Sequence, residues 1–153
     1  MKSEKTVIKS NSLEETHRIA IEFSKKLKSG NIVIFNGDLG VGKTEFVKAI
    51  CTHWNVEQTI SSPSFSIINQ YETFCNDTVR TIFHIDLYRI KNQKELIDIG
   101  FQELIYNSEA VFFIEWEENS FGIINKFDYK ITINICNENN NSRIIEIIHS
   151  HSG

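Results

Sequence analysis

The chain carries two uninterrupted apolar runs, Ile-Val-Ile-Phe at residues 32–35 and Ala-Val-Phe-Phe-Ile at residues 110–114. Runs of this length are typical of strands that are buried on both faces of a parallel sheet. The second run continues into Glu115 and Trp116, so its strand would end on a carboxylate. Five further segments are interpreted as strands, with turns at Asn76-Asp77 and 137–142: residues 6–8, 67–73, 80–86, 129–136 and 143–149.

A helical pattern follows the first of these strands. Apolar side chains at residues 19, 20, 23 and 27 recur every three to four positions, which predicts an amphipathic helix. Ser12 and Glu15 fit the capping box that begins such a helix, and Gly30 is expected to end it. Three more helices are predicted, with Gly100 as the break between the last two: residues 44–55, 91–99 and 101–106.

These elements predict a single α/β domain over residues 1–153. A mostly parallel sheet would carry helices on both faces, and the C-terminal hairpin would add antiparallel strands. Hydrophobic residues make up 41% of the chain and charged residues 24%, as in ordinary globular proteins. The formal net charge of −4 argues against strong nucleic-acid binding by the chain alone, because such binding needs a basic face.

The cysteines and the N-terminus favour a cytoplasmic protein. Cys51, Cys75 and Cys136 are odd in number and widely spaced, which favours reduced thiols over a disulfide framework. The first residues lack the apolar core of a signal peptide, and no run approaches the roughly 18 apolar residues of a membrane span. His149 and His151 are interpreted as a polar tail rather than a metal site.

The strand at residues 32–35 leads into Gly37-Asp38-Leu39-Gly40-Val41-Gly42-Lys43-Thr44, which fits the phosphate-binding P-loop pattern G-x-x-x-x-G-K-[ST]. Its glycines let successive backbone N–H groups point at one anion. Lys43 can reach the β- and γ-phosphates, and the Thr44 hydroxyl can bind Mg²⁺. The following helix would place its positive N-terminus beneath the phosphates. The chain is therefore predicted to bind a nucleoside triphosphate with Mg²⁺.

A hydroxyl-rich loop, Thr59-Ile60-Ser61-Ser62-Pro63-Ser64-Phe65-Ser66, follows the P-loop helix. Five of its eight residues carry hydroxyls, and GTPases keep a nucleotide-sensing switch at this position. An ordinary Ser/Pro turn would have the same composition, so both interpretations stay open.

Two acidic residues compete for the place beside the metal. Strand alternation puts His84, Asp86 and Tyr88 on one face, and an imidazole, a carboxylate and a phenol in register favour a functional site. Glu115 instead ends the buried run at residues 110–114, as in a Walker B strand that delivers a carboxylate to the Mg²⁺ shell. Because that run is the more uniformly apolar, Glu115 is the preferred ligand.

Asn125-Lys126-Phe127-Asp128 matches N-K-x-D, a pattern associated with guanine selection in GTPases. Only nine residues separate it from Glu115, and a crossover between parallel strands normally needs about a dozen or more. The match is therefore interpreted as a chance occurrence, and ATP is expected to be preferred over GTP.

Four blocks together resemble the TsaE family in order and spacing. They are the P-loop at residues 37–44, Ser62-Pro63-Ser64-Phe65-Ser66 with Tyr71, His84-Ile85-Asp86-Leu87-Tyr88-Arg89, and Ile114-Glu115-Trp116. Residues 95–103 around Ile99-Gly100-Phe101 are similar too, so the resemblance runs from about Leu13 to Arg143. The chain departs from the family at Glu117, where Pro is common, and at Ser64 and Ser66, where Thr is common.

The resemblance implies a small bacterial P-loop ATPase that works with TsaB and TsaD in the threonylcarbamoyl modification of adenosine 37 in ANN-decoding tRNAs. Hydrolysis would be weak and stimulated by these partners, with ATP and Mg²⁺ as cofactors and tRNA met only through the complex. Lys43, Asp86 and Glu115 would be catalytic, and Thr44 and Glu115 would hold Mg²⁺. ATP would contact Leu13, Asp38, Leu39, Gly40, Val41, Gly42, Lys43, Thr44, Glu45 and Arg143. Switching and partner sensing would involve Ser62, Ser64, Ser66, His84, Tyr88, Arg89 and Trp116.

Two other functions are compatible with a P-loop. A small-molecule or nucleotide kinase would need a basic lid, and the chain has only four arginines, Arg18, Arg80, Arg89 and Arg143, with no Arg-rich lid among them. A nucleotide-dependent binding switch would need no catalysis. Phosphate release, measured with and without partners, separates these functions.

Overall fold

The computed structural model describes residues 2–38, 40–63, 66–73, 81–106, 109–136 and 141–151, and of residues 2 and 151 it describes the backbone alone. Outside these ranges lie the predicted turn at Asn76-Asp77, Leu39, Ser64, Cys75 and Arg80. The elements in chain order are β1 (Lys2–Ser10), α1 (Leu13–Ser24), β2 (Ile32–Asn36), α2 (Lys43–His53), β3 (Ile68–Glu72), β4 (Thr81–Asp86), α3 (Gln93–Asp98), α4 (Phe101–Tyr106), β5 (Val111–Glu115), β6 (Tyr129–Ile135) and β7 (Arg143–His151).

The strands form one sheet in the order β1-β7-β6-β2-β5-β4-β3. Its four central strands, β6, β2, β5 and β4, run parallel, whereas β3, β7 and β1 are each antiparallel to a neighbour. The prediction of a mostly parallel sheet with an antiparallel C-terminal hairpin is therefore confirmed. Strand β1 is nine residues long rather than the predicted three, because β7 pairs with it from Ser10 back to Lys2.

Helices cover both faces of the sheet, as the sequence predicted. On one face, Phe23 of α1 and Phe46 of α2 pack with Phe35 of β2 and Phe113 of β5. On the other face, a second cluster joins α3 and α4 to the alternate residues of the same strands. Burying one such Phe side chain contributes about 1.5–3 kcal/mol, so the P-loop strand β2 is held firmly from both sides.

The beginning of α1 is as predicted, but its end is not. Ser12 Oγ accepts a hydrogen bond from the Glu15 N–H, and the Glu15 carboxylate reaches back to the N–H of Asn11. The predicted end at Gly30 is wrong, because the helix ends at Ser24 and passes into tighter turns that bury Leu27 without helical backbone. Gly30 instead donates its N–H to the Ala110 carbonyl ahead of β5.

Within the part of the chain that the structure describes, no helix combines the length and apolar character needed to cross a membrane.

Candidate functional site

Three strand ends and one helix start meet at the same edge of the sheet. Strand β2 ends at Asn36 and leads into the P-loop, and α2 begins at Lys43. Strands β4 and β5 end at Asp86 and Glu115, which are direct partners in the β4–β5 register. Because the carboxyl ends of parallel strands lie at one edge, the two competing carboxylates arrive side by side opposite the P-loop.

The P-loop backbone needs glycine at its first and sixth positions. At Gly37, which has φ of +142°, an added Cβ would lie 2.5 Å from the Ile133 carbonyl oxygen, so β6 leaves no room for a side chain. Gly42 is the N-cap of α2 at φ of +117° and makes no side-chain cap hydrogen bond. The N-terminus of α2 therefore has no capping side chain competing for its first-turn N–H groups, which suits it to bind an anion.

Lys43 lies in the middle of this edge and is only 5% exposed. Its Nζ donates a hydrogen bond of 2.6 Å to the Gly37 carbonyl and lies 3.6 Å from Glu115 Oε1. The same ammonium is 5.0 Å from the centre of the Trp116 ring, a distance at which a cation and an aromatic face attract each other. The lysine is thus held by a carbonyl, a carboxylate and an indole.

Glu115 has a second close partner. The Nε2 atom of His84, which is fully buried, lies 2.7 Å from Glu115 Oε2. The two oxygens of Glu115 therefore have different partners, Lys43 for Oε1 and His84 for Oε2. Sequence reasoning found His84 and Glu115 separately and missed their contact, because it depends on β4 lying next to β5.

Asp86 is buried beside Glu115. Burial raises the pKa of the Asp86 carboxyl; the hydrogen bond that its Oδ1 accepts from the Tyr88 N–H opposes this rise, and the nearby Glu115 charge adds to it. The prediction that Tyr88 continues the face of His84 and Asp86 is wrong, because β4 ends at Asp86 and the chain turns. The Tyr88 side chain is 51% exposed, with its ring centre 4.9 Å from that of Trp116. Arg89 follows in the same turn.

The described part of the hydroxyl-rich loop is tied to the Asp86 strand. Ile67 accepts a hydrogen bond from the Asp86 N–H through its carbonyl and donates its own N–H to Pro63. Ile67 has φ of +67°, a strained conformation for a β-branched residue. Ser66 donates to the Asn69 side chain, and both Ser62 and Ser66 are exposed. The loop therefore leads into a backbone hydrogen bond with Asp86, and both interpretations of it, a switch and an ordinary turn, stay open.

A second group of predicted residues lies on the α1 side of the P-loop. Arg143 begins β7, and its Nε donates to the Val41 carbonyl over 2.8 Å. The register pairs Arg143 with Ser10, three residues before the exposed Leu13. Glu45, next to Thr44 in α2, lies 3.3 Å from His17 Nε2, a contact that no local sequence pattern indicates. Three of the predicted ATP contacts, Leu13, Glu45 and Arg143, therefore share this side, and their contact with ATP stays a prediction.

A pocket of about 280 Å³ adjoins the P-loop, with Asp38, Lys43, Trp116, Glu118 and Thr132 among its lining residues. The larger cavity of about 560 Å³ lies away from these groups, between α1 and strands β1 and β7. Size therefore does not identify the site here, and we place it by its chemistry, because the smaller pocket is the one that contains the P-loop lysine.

The N-K-x-D match lies at the opposite edge of the sheet. Asp128 Oδ2 accepts a hydrogen bond of 2.8 Å from the Ile32 N–H, at the start of β2 rather than at its P-loop end. Asp128 thus anchors a strand end, and the expected preference for ATP over GTP stays a prediction.

Comparison with known proteins gives consistent matches over most of the chain. The sequence model of the family described as threonylcarbamoyl adenosine biosynthesis protein TsaE matches residues 10–145. The tRNA threonylcarbamoyladenosine biosynthesis protein TsaE of Rickettsia felis is 35% identical over 143 residues, covering 93% of this chain and 79% of that protein. Its counterpart in Rickettsia bellii is 42% identical over 109 residues, covering 71% and 72%. A crystal structure of Bacillus subtilis YdiB has the same fold, with a TM-score of 0.76 at 24% identity, covering 99% of this chain and 89% of that one.

Proposed function

The chain belongs to the TsaE family and has a role in tRNA threonylcarbamoyladenosine biosynthesis, and from this premise we propose that it binds ATP with Mg²⁺ and hydrolyses the ATP. The observation that carries the proposal is the position of Lys43, at the N-terminus of α2 and 3.6 Å from the strand-end carboxylate of Glu115. A P-loop lysine next to a Walker B acid is the arrangement that phosphoryl transfer uses.

The residues at this edge fit a magnesium ion. Thr44 supplies a hydroxyl, and Asp86 and Glu115 supply carboxylate oxygens, which are the hard donors that Mg²⁺ prefers. An ion held there together with ATP would supply positive charge against the negative charge of the transferred phosphoryl group. We assign Thr44 and Glu115 to hold the ion.

Lys43 and Asp86 have separate roles in this proposal. Lys43 exchanges its hydrogen bond to the Gly37 carbonyl for one to the β- or γ-phosphate, where its charge stabilises the transition state. Asp86 uses Oδ1 to accept from the Tyr88 N–H, and we assign its other oxygen to orienting the attacking water. On the α1 side, Leu13 and Arg143 contact the base and ribose.

We further propose that TsaB and TsaD stimulate the reaction. An arginine that reaches the γ-phosphate contributes roughly 10³–10⁵-fold in P-loop enzymes. The Nε of Arg143 donates to the Val41 carbonyl. Arg18, on α1, lines the larger cavity away from the P-loop. We propose that hydrolysis by the chain alone is slow, and that the partners add charge or order the hydroxyl-rich loop and residues 84–89.

The proposal is tested by calorimetry with ATP and by phosphate release. Lys43→Ala should weaken ATP binding about 10–100-fold, because a hydrogen bond to a charged group contributes about 1.5–3 kcal/mol. Lys26→Ala, which changes an exposed lysine away from the P-loop, is the matched control and should bind ATP normally. Unchanged ATP affinity in Lys43→Ala would refute the P-loop assignment, and fast turnover that TsaB, TsaD and tRNA leave unchanged would refute the role of the partners.

A further inference from the structure

His84 is a buried polar residue with an incomplete set of partners. Its side chain is fully buried, and its Nε2 lies 2.7 Å from Glu115 Oε2. Its other ring nitrogen, Nδ1, is also buried and has no hydrogen-bond partner among the described residues. Buried polar atoms without a partner are rare in folded proteins. The burial of His84 therefore calls for an explanation other than its own hydrogen bonds.

The unpartnered nitrogen decides the tautomer. A hydrogen on Nδ1 would be a buried donor without an acceptor among the described residues, which is unfavourable. A hydrogen on Nε2 instead points at Glu115 Oε2. We therefore assign the Nε2–H tautomer from the hydrogen-bond network, in which His84 donates to Glu115 and leaves Nδ1 as a bare acceptor.

The sheet register explains why the His84 side chain can reach Glu115. Within β4, His84 and Asp86 share one face, and they pair across to Phe113 and Glu115 of β5. The imidazole therefore approaches Glu115 diagonally, from two residues before the direct partner Asp86. The contact occupies Oε2, whereas Oε1 is the oxygen 3.6 Å from Lys43.

On the basis of the function proposed above, we propose that His84 is a positioning residue for the Mg²⁺ site. Its Nε2–H holds Glu115 Oε2, so that Glu115 presents Oε1 alone to the ion. A single ring N–H is suited to this task because it orients one carboxylate oxygen, whereas a lysine or arginine here would bring a permanent positive charge that competes with the ion. Groups that hydrogen-bond to a metal-binding side chain commonly contribute about 10–100-fold to metal affinity.

The test is the affinity for Mn²⁺, used as a spectroscopic substitute for Mg²⁺ and measured by electron paramagnetic resonance with a non-hydrolysable ATP analogue. His84→Phe keeps an aromatic ring but has no donor, and should weaken Mn²⁺ binding about 10–100-fold. His84→Gln can place an amide N–H near the Nε2 position and should stay within about threefold of the wild type. Affinity for the nucleotide without metal should be the same in all three proteins.

Two further variants separate positioning from packing. Ile85→Val removes one buried methyl group from the same strand and should lower thermal stability without changing Mn²⁺ affinity. In a Glu115→Gln background, His84→Phe should weaken Mn²⁺ binding no further, because the carboxylate it positions is absent. If His84→Phe does not fold, His84→Asn replaces it, since its shorter amide does not extend to the Nε2 position.

Equal Mn²⁺ affinity in folded His84→Phe and wild type would overturn the assignment, as would equal weakening by Phe and Gln. These results would leave the proposed ATP and Mg²⁺ site intact. Wild-type protein that binds no Mn²⁺ with the nucleotide would instead refute the proposed function, and the role of His84 with it.

Discussion

The buried pair of Lys43 and Glu115 should stabilise the nucleotide-free protein measurably. Both side chains are 5% exposed, and Lys43 Nζ lies 3.6 Å from Glu115 Oε1. At an effective dielectric constant of about 20, two unit charges at this distance attract by about 5 kcal/mol, and breaking a buried pair typically costs about 3–5 kcal/mol. Removing Lys43 also relieves its own desolvation, so we expect Lys43→Met to lower the free energy of unfolding by about 3 kcal/mol.

The assay is a double-mutant cycle of Lys43→Met and Glu115→Gln, followed by urea unfolding with EDTA and without nucleotide. The double variant should lose less stability than the sum of the single variants, by about 2 kcal/mol. The coupling should persist in 1 M salt, because buried pairs are screened much less than exposed ones. The exposed pair of Lys94 and Asp98, with charged atoms 3.8 Å apart, is the control and should show weak coupling that salt removes.

Additive effects of the two substitutions, within about 0.5 kcal/mol, would refute the reasoning. Lys43 would then not be held by Glu115 before the nucleotide arrives. A measured coupling would give the interaction energy that the P-loop lysine loses when it leaves the carboxylate.

Three further predictions follow from the same edge of the sheet. Burial raises the pKa of Asp86 above its ordinary value of 3.8, so the stability it contributes is present below that value and is lost as pH rises through the native pKa. Asp86→Asn should therefore unfold at higher urea than wild type at pH 7, with the difference shrinking towards pH 4; a pH-independent difference would contradict this. In Trp54→Phe, ATP with Mg²⁺ should change the fluorescence of Trp116, because Lys43 leaves its position 5.0 Å from that ring; an unchanged spectrum would place Trp116 away from the site. Asp128→Ala should lower stability by about 1 kcal/mol in urea unfolding and leave the preference for ATP over GTP unchanged in competition binding, whereas a changed preference would restore the guanine-selection interpretation.

The central part of the fold could be predicted from sequence because its signals are local. Three signals follow one another without interruption: the apolar run at residues 32–35, the glycines of the P-loop and the helix after Lys43. Each restricts where the next element can begin. Strand β1 was underestimated because its length depends on β7, far along the chain. Gly30 suggested a helix end, but a positive φ serves any turn equally well, and here it serves the turn before β2.

The site was predicted as separate residues and not as an arrangement. Asp86 and Glu115 were found because each ends a strand, but only the sheet order makes them direct partners. The contact of His84 with Glu115 spans 31 positions and depends on that same register. Tyr88 was misplaced because alternation says which face a residue takes only while the strand lasts, and β4 ends two residues earlier.

The pairing of β1 with β7 has a consequence for how the protein is made. On the ribosome, the chain through α2 is synthesised well before Arg143, with 89 residues between His53 and Arg143. At about 5–20 residues per second, this interval lasts roughly 5–20 s. During that time, β1 lacks its partner β7, and the P-loop lacks the Arg143 contact to Val41. We therefore expect arrested nascent chains that stop before residue 143 to be cleaved by protease within residues 2–10, and chains extended beyond β7 to be protected there.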